Sequence, residues 1–361
     1  MTAELHPRFR LNGHSIGREE IWDVAYSLVK EGEDFEREAG EFLLSWIDHR
    51  ETVAIRTSGS TGKPKIVELA KASMAHSARE TGEFFKLGPG TRALCCLSAG
   101  NIAGKMMLVR AMVLGWNLSL IAPDAEPLNA VRGDFDFAAL VPLQLKKSLG
   151  KLSRIRKIIV GGAPIPTGIL AALPGKGTEI WQSYGMTETA THVALRRLKR
   201  IDPAKDAEAQ LPPFKAMPGI HFKTDRKGCL VVHAPERLQA PVQTNDLVEC
   251  LSETSFRWLG RWDQVINSGG IKLHPERLEA RLGALIESRF FLAGMPDDIL
   301  GERLVLVVEG SGDPEKLREV ITNSDAFESY EVPREVRFVA AMCETTSSKV
   351  NRQATLDSLA D

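Results

Sequence analysis

The sequence predicts an α/β protein: a large amino-terminal α/β domain with a mostly parallel sheet and a small β subdomain, then a small mobile α+β domain. Three observations predict it. From about residue 52 to 230, short apolar runs alternate with stretches of helical period, the pattern of parallel strands wrapped by crossover helices. Over 221–260 the period shortens to two, as in HFKTDRKGCLVVHAP and DLVECLSETSFRWLG, which suits antiparallel hairpins. After Gly260 a helix near 275–287, an apolar strand RLVLVVEG (303–310) and a helix over 314–322 form a separate set. The boundary is therefore placed between residues 1–260 and 261–361, with a hinge near Arg261–Asp263.

The opening segment MTAELHPRFRLNGHS is polar and lacks the apolar core of a secretory signal. Ile21, Val24, Ala25, Leu28 and Val29 recur at helical spacing, so 16–48 reads as helices. VAIRTS (53–58), NLSLIAP (117–123), FAALVP (137–142) and IRKIIVGG (155–162) read as strands, and ligands of such folds sit beyond the carboxyl ends of the strands. The 46 Lys and Arg nearly balance 47 Asp and Glu, leaving a formal charge of -1. That balance argues against a nucleic-acid partner, and any anion site must be local. No apolar run approaches the ~18 residues of a membrane span. The cysteines (Cys95, Cys96, Cys229, Cys250, Cys343) form no CxxC pair, which points to free thiols in a reducing, cytoplasmic compartment.

TSGSTGKPK (57–65) carries the most chemistry. Glycines let a backbone approach a polyphosphate and aim its amides inward, hydroxyls add donors, and Lys63 and Lys65 supply charge. It is not a Walker loop, because Pro64 follows Lys63 and only two residues separate the glycines. A flexible Ser/Gly surface turn is the bland alternative. GGAPI (161–165) follows a strand, and its small residues suit a flat base lying on the backbone. QSYGMTETA (182–190) offers a Tyr184 ring, a Thr187 hydroxyl and a Glu188 carboxylate, a hard oxygen ligand fit for Mg²⁺. By itself Thr-Glu-Thr is also an ordinary helix start. Asp246 in QTNDLVE could accept two hydrogen bonds from vicinal hydroxyls, although an isolated Asn-Asp is usually a turn.

These segments, in order, resemble the motifs of the adenylate-forming superfamily of acyl-CoA synthetases, luciferases and peptide-synthetase adenylation domains. LGRWDQVINSGGIKLHPERLE (259–279), GMPDDILGE (294–302) and SYEVPREVRFVAAMCETTSSKVNR (329–352) extend the resemblance to position 352. It implies ATP, Mg²⁺ and coenzyme A acting on a small carboxylic acid, in an AMP-forming acid–thiol ligase. Thr57, Ser58, Gly59, Ser60, Thr61, Gly62 and Lys63 would hold the β and γ phosphates. Gly162, Ala163 and Tyr184 would face the adenine, Asp246 the ribose, and Arg261 the ribose or phosphate. Glu188 would anchor Mg²⁺, with Thr187 on a phosphate oxygen, and Lys349 would bridge the substrate carboxylate and the α-phosphate. Asp263 would be the hinge, and Ser268, Gly269 and Gly270 the loop presented to the thiol substrate. The GMPDDILGE turn reads as structural. Two departures stand out: Ser348 where the family usually has Gly, and only 56 residues before the phosphate loop.

In LSAGNIAGKMMLVRAMVLG (97–115), Asn101 replaces the usual aromatic or His gate, while Lys105 and Arg110 are cations in an apolar helix. A buried cation is costly unless paired, so one facing the acyl site beside Gly185 suits a second substrate carboxylate; the alternative is snorkelling to solvent. Asn101, the Arg110 placement and the short length resemble the o-succinylbenzoate–CoA ligases of menaquinone biosynthesis. The rival readings are a ligase for another aryl or medium-chain acid, a carrier-linked adenylation domain, or a degenerate nucleotide-binding module. A homodimer is compatible with the sequence, which does not argue for one.

Overall fold

A computed structural model describes residues 4–57, 65–202, 205, 207–324, 326–344 and 350–359. Six parallel strands form the centre of a large sheet, in the order Glu179–Met186, Ile155–Val160, Phe135–Leu140, Arg92–Cys95, Asn117–Leu120 and Arg10–Leu11. Alternate residues of these strands bury against different layers. Ala93, Cys95, Leu118, Phe137 and Ile159 join one core, which includes the helices Lys71–Phe85 and Ile102–Leu114. Leu94, Cys96, Ala138, Leu140, Ile158 and Val160 join a second, with the helices Pro142–Ser148 and Thr167–Ala171. Burial on both faces is why these strands read as unbroken apolar runs.

The amino-terminal pair of helices, Ile21–Glu31 and Asp34–Ile47, matches the expectation for 16–48. They meet at Gly40, where a Cβ would lie 2.6 Å from the Ala25 carbonyl, so only glycine permits that approach. The second helix packs against Ile102–Leu114.

Two expectations are refined. The strand expected at VAIRTS forms as Thr52–Thr57, but it pairs with Lys65–Ala70 as a separate two-stranded ribbon. Val53 and Ile55 are buried while Thr52, Ala54 and Arg56 are exposed, so it has one apolar face and cannot serve inside a doubly covered sheet. The expected hairpins form as His221–Thr224 with Cys229–His233 and Val242–Ser252 with Ser255–Arg261. They extend the large sheet through Phe214–Ala216 and Thr191–Arg197 rather than standing apart from it.

The carboxyl-terminal strands form their own sheet: Ile271–Leu273, Ile266–Ser268, Gly301–Glu309 and Phe290–Asp297, with Glu335–Val339 parallel to Gly301–Glu309. Helices Pro275–Leu282 and Pro314–Thr322 cover one face and Arg352–Asp357 contributes to the other. Among the described residues no helix is long and apolar enough to cross a membrane.

One buried ion pair ties distant segments together. Glu80 and Arg237, 6% and 4% exposed, are bonded, and Arg237 also donates to the His192 carbonyl at 3.0 Å. Ser73 donates to the Arg237 carbonyl at 2.6 Å. Helix Lys71–Phe85, strand Thr191–Arg197 and the loop at 234–238 thus share one charged node. Removing a single partner leaves an uncompensated buried charge. Glu80→Ala is expected to lower the unfolding free energy by about 3–5 kcal/mol in a urea titration.

Candidate active site

The parallel strands all end at one edge, and the loops that leave it carry the motifs: 96–101, 161–165 and 187–190. Gly161 has no room for a side chain, since a Cβ would lie 2.5 Å from Ser183 Oγ, and Gly162 sits at φ +87°. Ala163 is exposed at the head of the same turn.

The next strand, Glu179–Met186, pairs antiparallel with Thr191–Arg197, and Gly185 lies opposite His192. A Cβ at Gly185 would come within 2.2 Å of the Thr191 carbonyl, so this glycine is required by chain approach. Between the strands, Thr187–Thr189 forms one short helical turn, held by Thr189 Oγ1 donating to the Met186 and Thr191 carbonyls. Ala190 (φ 54°) and Thr191 (φ 131°) then adopt positive φ without being glycine. For a β-branched residue that is a true outlier, and such strain persists where surrounding structure imposes it. It brings Thr187 and Glu188, both half-buried, to the strand edge. Strand Lys65–Ala70 of the two-stranded ribbon packs against this turn. Thr57 ends its partner strand, whereas Ser58, Gly59, Ser60, Thr61, Gly62 and Lys63 lie outside the described residues.

Tyr184 and Asp246 meet directly. The tyrosine hydroxyl donates to Asp246 Oδ2 at 2.6 Å, and Trp258 Nε1 donates to Oδ1 at 3.2 Å. Burial, reinforced by the Asp246 charge, pushes the Tyr184 hydroxyl above its ordinary value, so it remains a donor. Each carboxylate oxygen has one protein donor and keeps acceptor capacity. Arg261 is the cross-strand neighbour of Asp246, and its guanidinium grips Asp263 in a fork at 3.0 and 3.1 Å. Trp258 was not among the sequence candidates; the signal was there in the hairpin alternation, which puts it on the face of Asp246.

Asn101 is the N-cap residue of helix Ile102–Leu114 and is exposed at the same edge. Neither helix cation snorkels freely. Lys105 is half-buried, donates to the Ala99 carbonyl and lies 5.7 Å from the Phe42 ring centroid. Arg110 is 2% exposed. Its contacts are Thr81 Oγ1 at 3.3 Å, Met107 Sδ at 3.7 Å and His192 Nδ1 at 3.4 Å, with no carboxylate partner among the described residues. Burial lowers its pKa to about 10, so it is still a cation at neutral pH. His192 Nε2 is buried without a partner. Only the isolated histidine in the apolar strand THVALRR could have announced this residue beforehand.

In the small sheet, Ser268, Gly269 and Gly270 make the turn between Ile266–Ser268 and Ile271–Leu273. Gly269 (φ +60°) and Gly270 (φ +83°) supply the two positive φ angles that a two-residue hairpin needs. Asp297 accepts backbone N–H groups of Ile299 and Leu300, a structural turn as expected. Lys349 lies outside the described residues. Its flanks are anchored: Glu344 and Val350 form an antiparallel bridge, and Arg352 pairs with Glu279 at 2.8 Å.

Glu188 makes no ion pair among the described residues, and no cluster of three or more metal-ligating side chains occurs among them. A lone carboxylate fits Mg²⁺, which is commonly held by one or two carboxylates plus substrate phosphates. A cleft of about 580 Å³ lined by Lys176, Arg197, Lys199 and Arg200 contains none of the predicted site residues.

Residues 27–221 match the AMP-binding enzyme family. A probable 2-succinylbenzoate–CoA ligase of Mycobacterium tuberculosis is 29% identical over 336 positions, covering 85% of this chain and 84% of that protein. The 2-succinylbenzoate–CoA ligase of Salmonella typhimurium is 26% identical, covering 79% and 66%. Among solved structures, an AMP-forming acyl-CoA synthetase/AMP-acid ligase II-like protein from Dyadobacter fermentans shows 38% identity and a TM-score of 0.58, covering 91% and 95%. The o-succinylbenzoate CoA synthetase of Bacillus subtilis bound to its acyl-adenylate has 18% identity and a TM-score of 0.77, covering 96% and 94%, a likeness of fold.

Burial, with the Arg110 charge beside it, depresses His192 from 6.5 to about 3. As pH falls below about 6.5 the unfolded chain takes up a proton that the folded chain refuses until about pH 3, so stability falls over that window. Compared with the native chain, His192→Gln is expected to lose one proton's worth of that slope in denaturant titrations at stepped pH.

Proposed function

The chain belongs to the AMP-binding enzyme family, and from that premise we propose that it is an ATP-dependent, AMP-forming 2-succinylbenzoate–CoA ligase of the cytosol. Relatives carrying that name cover most of the chain, and the order of its motifs agrees with the chemistry. In the first half-reaction a substrate carboxylate oxygen attacks the α-phosphorus of ATP, the bond to the bridging oxygen breaks, and pyrophosphate leaves with an acyl-adenylate remaining. In the second, the coenzyme A thiol loses its proton, attacks the acyl carbon and expels AMP.

Charge builds on the phosphoryl oxygens in the first step, so positioned donors and cations supply most of the acceleration. Thr57 to Lys63 would hold the β and γ phosphates, with Gly162 and Ala163 against the adenine. Asp246, its two oxygens each oriented by a protein donor, retains the lone pairs that a ribose diol needs. Glu188 would hold Mg²⁺, which when bound offsets phosphate charge, and Thr187 would donate to a phosphate oxygen. Lys349 would bridge the substrate carboxylate and the α-phosphate. The mixed anhydride is already activated, so no side-chain nucleophile is needed. The buried thiols fit that: burial raises Cys95 to about 11 and Cys96 beyond the usual thiol range.

The observation that carries the substrate assignment is Arg110, a buried guanidinium faced among the described residues by neutral groups alone and set behind the Gly185–His192 pair. A scaffold gains nothing from an unpaired buried cation, whereas a substrate with a second, aromatic carboxylate would complete it.

ATP–pyrophosphate exchange against a panel of carboxylic acids tests this. Exchange is expected with 2-succinylbenzoate, and Arg110→Met should reduce kcat/KM for it roughly a hundredfold, by loss of a charged hydrogen-bonded pair. The melting temperature of Arg110→Met should hold or rise, because the substitution removes an uncompensated buried charge. Exchange with a different acid, indifferent to Arg110, would keep the reaction and discard the substrate.

A further inference from the structure

Helix Pro275–Leu282 belongs to the small carboxyl-terminal sheet, yet it packs on strand Ser255–Arg261 of the large one. Two hydrogen bonds strap it there. The Arg261 backbone N–H donates to Glu276 Oε1 at 3.3 Å, and Thr167 Oγ1 donates to the Ala280 carbonyl at 2.7 Å. Two further polar atoms at this contact, Glu276 Oε2 and His274 Nδ1, are buried without a hydrogen-bond partner among the described residues. Both press on Gly260, where a Cβ would lie 2.8 Å from Glu276 Oε2 and 3.4 Å from His274 Nδ1. Gly260 has φ +148°, so glycine is demanded by conformation and by space.

The charges around Glu276 come from every element that meets it. Glu279 lies one turn along the same helix but is paired with Arg352. The Arg261 guanidinium is committed to Asp263. His274 is held below its ordinary value by burial, with Arg277 and Lys272 adding to the effect, and so is neutral. No cation among the described residues forms an ion pair with Glu276, and an ionised carboxylate buried under those conditions is costly.

We infer that Glu276 is a positioning residue, a proton-operated latch that holds the small half docked on the hinge strand while its carboxyl is protonated and releases it on ionisation. The inference rests on the reading of 261–263 as the hinge. Burial raises Glu276 from 4.5 to about 7 in the docked arrangement, with the Glu279 charge adding and the Glu276 backbone amide, the Arg352 charge and the Arg261 amide opposing. Undocked, the carboxyl meets water and returns to its ordinary range. Between about 4.5 and 7 the docked state therefore holds one proton more, and docking weakens as pH rises through that window. Above it the equilibrium has moved against docking on the order of a hundredfold. The proton leaves to solvent, and no other bond is made or broken.

The test is fluorescence transfer across the hinge in the full chain. Dyes are placed on Leu143→Cys and Ile299→Cys, both exposed positions, with Cys250→Ser and Cys343→Ser to remove the accessible native thiols. Transfer should change between about pH 4.5 and 7 at constant far-UV circular dichroism, and Glu276→Gln, neutral at all pH, should abolish the transition. A transition unaltered in Glu276→Gln, or none in the native background between pH 4.5 and 7.5, overturns the latch. Hydrogen exchange at the Arg261 amide gives a second readout, expected to quicken beyond its intrinsic pH dependence as pH rises from about 4.5 to 7, only where Glu276 is present. Pyrophosphate exchange on the same samples separates the two readings. Loss of exchange with the transition intact sinks the proposed reaction alone.

Discussion

The close approach of two chains at Gly185 and Thr191 is the constraint on which much of the site depends. Without a side chain at 185 the strand Thr191–Arg197 can lie against Glu179–Met186 and reverse the direction of a sheet that has been parallel until then. The reversal must be made in four residues, and its cost is visible as positive φ at Ala190 and Thr191. In return Thr187 and Glu188 stand at the carboxyl edge of the parallel strands, beside the ribbon Thr52–Thr57 and Lys65–Ala70. The same pairing sets His192, and through it Arg110, directly behind the strand edge.

Buried charge is handled in two opposite ways within a short distance. Arg237 is neutralised by Glu80, and their pair ties a helix, a strand and a loop that lie far apart along the chain. Arg110, equally buried, receives among the described residues a hydroxyl, a thioether and a histidine kept neutral by the same burial. Paired charge belongs to scaffold, because breaking it exposes the desolvation cost. Charge left unpaired is a standing penalty that only a ligand can relieve, which is why the substrate reading rests there.

The two sheets meet through a contact that is specific but thin. Helix Pro275–Leu282 packs on strand Ser255–Arg261, with hydrogen bonds to the Arg261 amide and to Thr167 of helix Thr167–Ala171, and carries an incompletely satisfied carboxyl. A contact meant to be permanent would satisfy those atoms, since buried polar groups normally find partners. Around it the small half is well packed, with an apolar core on each face of its sheet.

Much of this was written in local sequence. The parallel strands were legible because burial on both faces forces unbroken apolar runs, and the hairpins because a half-covered strand alternates. Ser268-Gly269-Gly270 and the Asp297 turn were legible because each is made by its own few residues, through positive φ or an Asx bond. What could not be read was whatever depends on partners far along the chain. Asp246 takes its donors from Tyr184 and Trp258, Arg237 finds Glu80, and the 221–261 hairpins continue the large sheet rather than leaving it. Nor could spacing say whether Arg110 would reach water or be sealed in without a counter-charge. By itself, then, the sequence determined the kinds of element, their order and the chemistry of the motifs, all of which follow from short-range backbone and side-chain preferences. Which charges are paired, which are left waiting, and how the two halves touch were decided only in the tertiary structure, where burial sets the cost of every polar group.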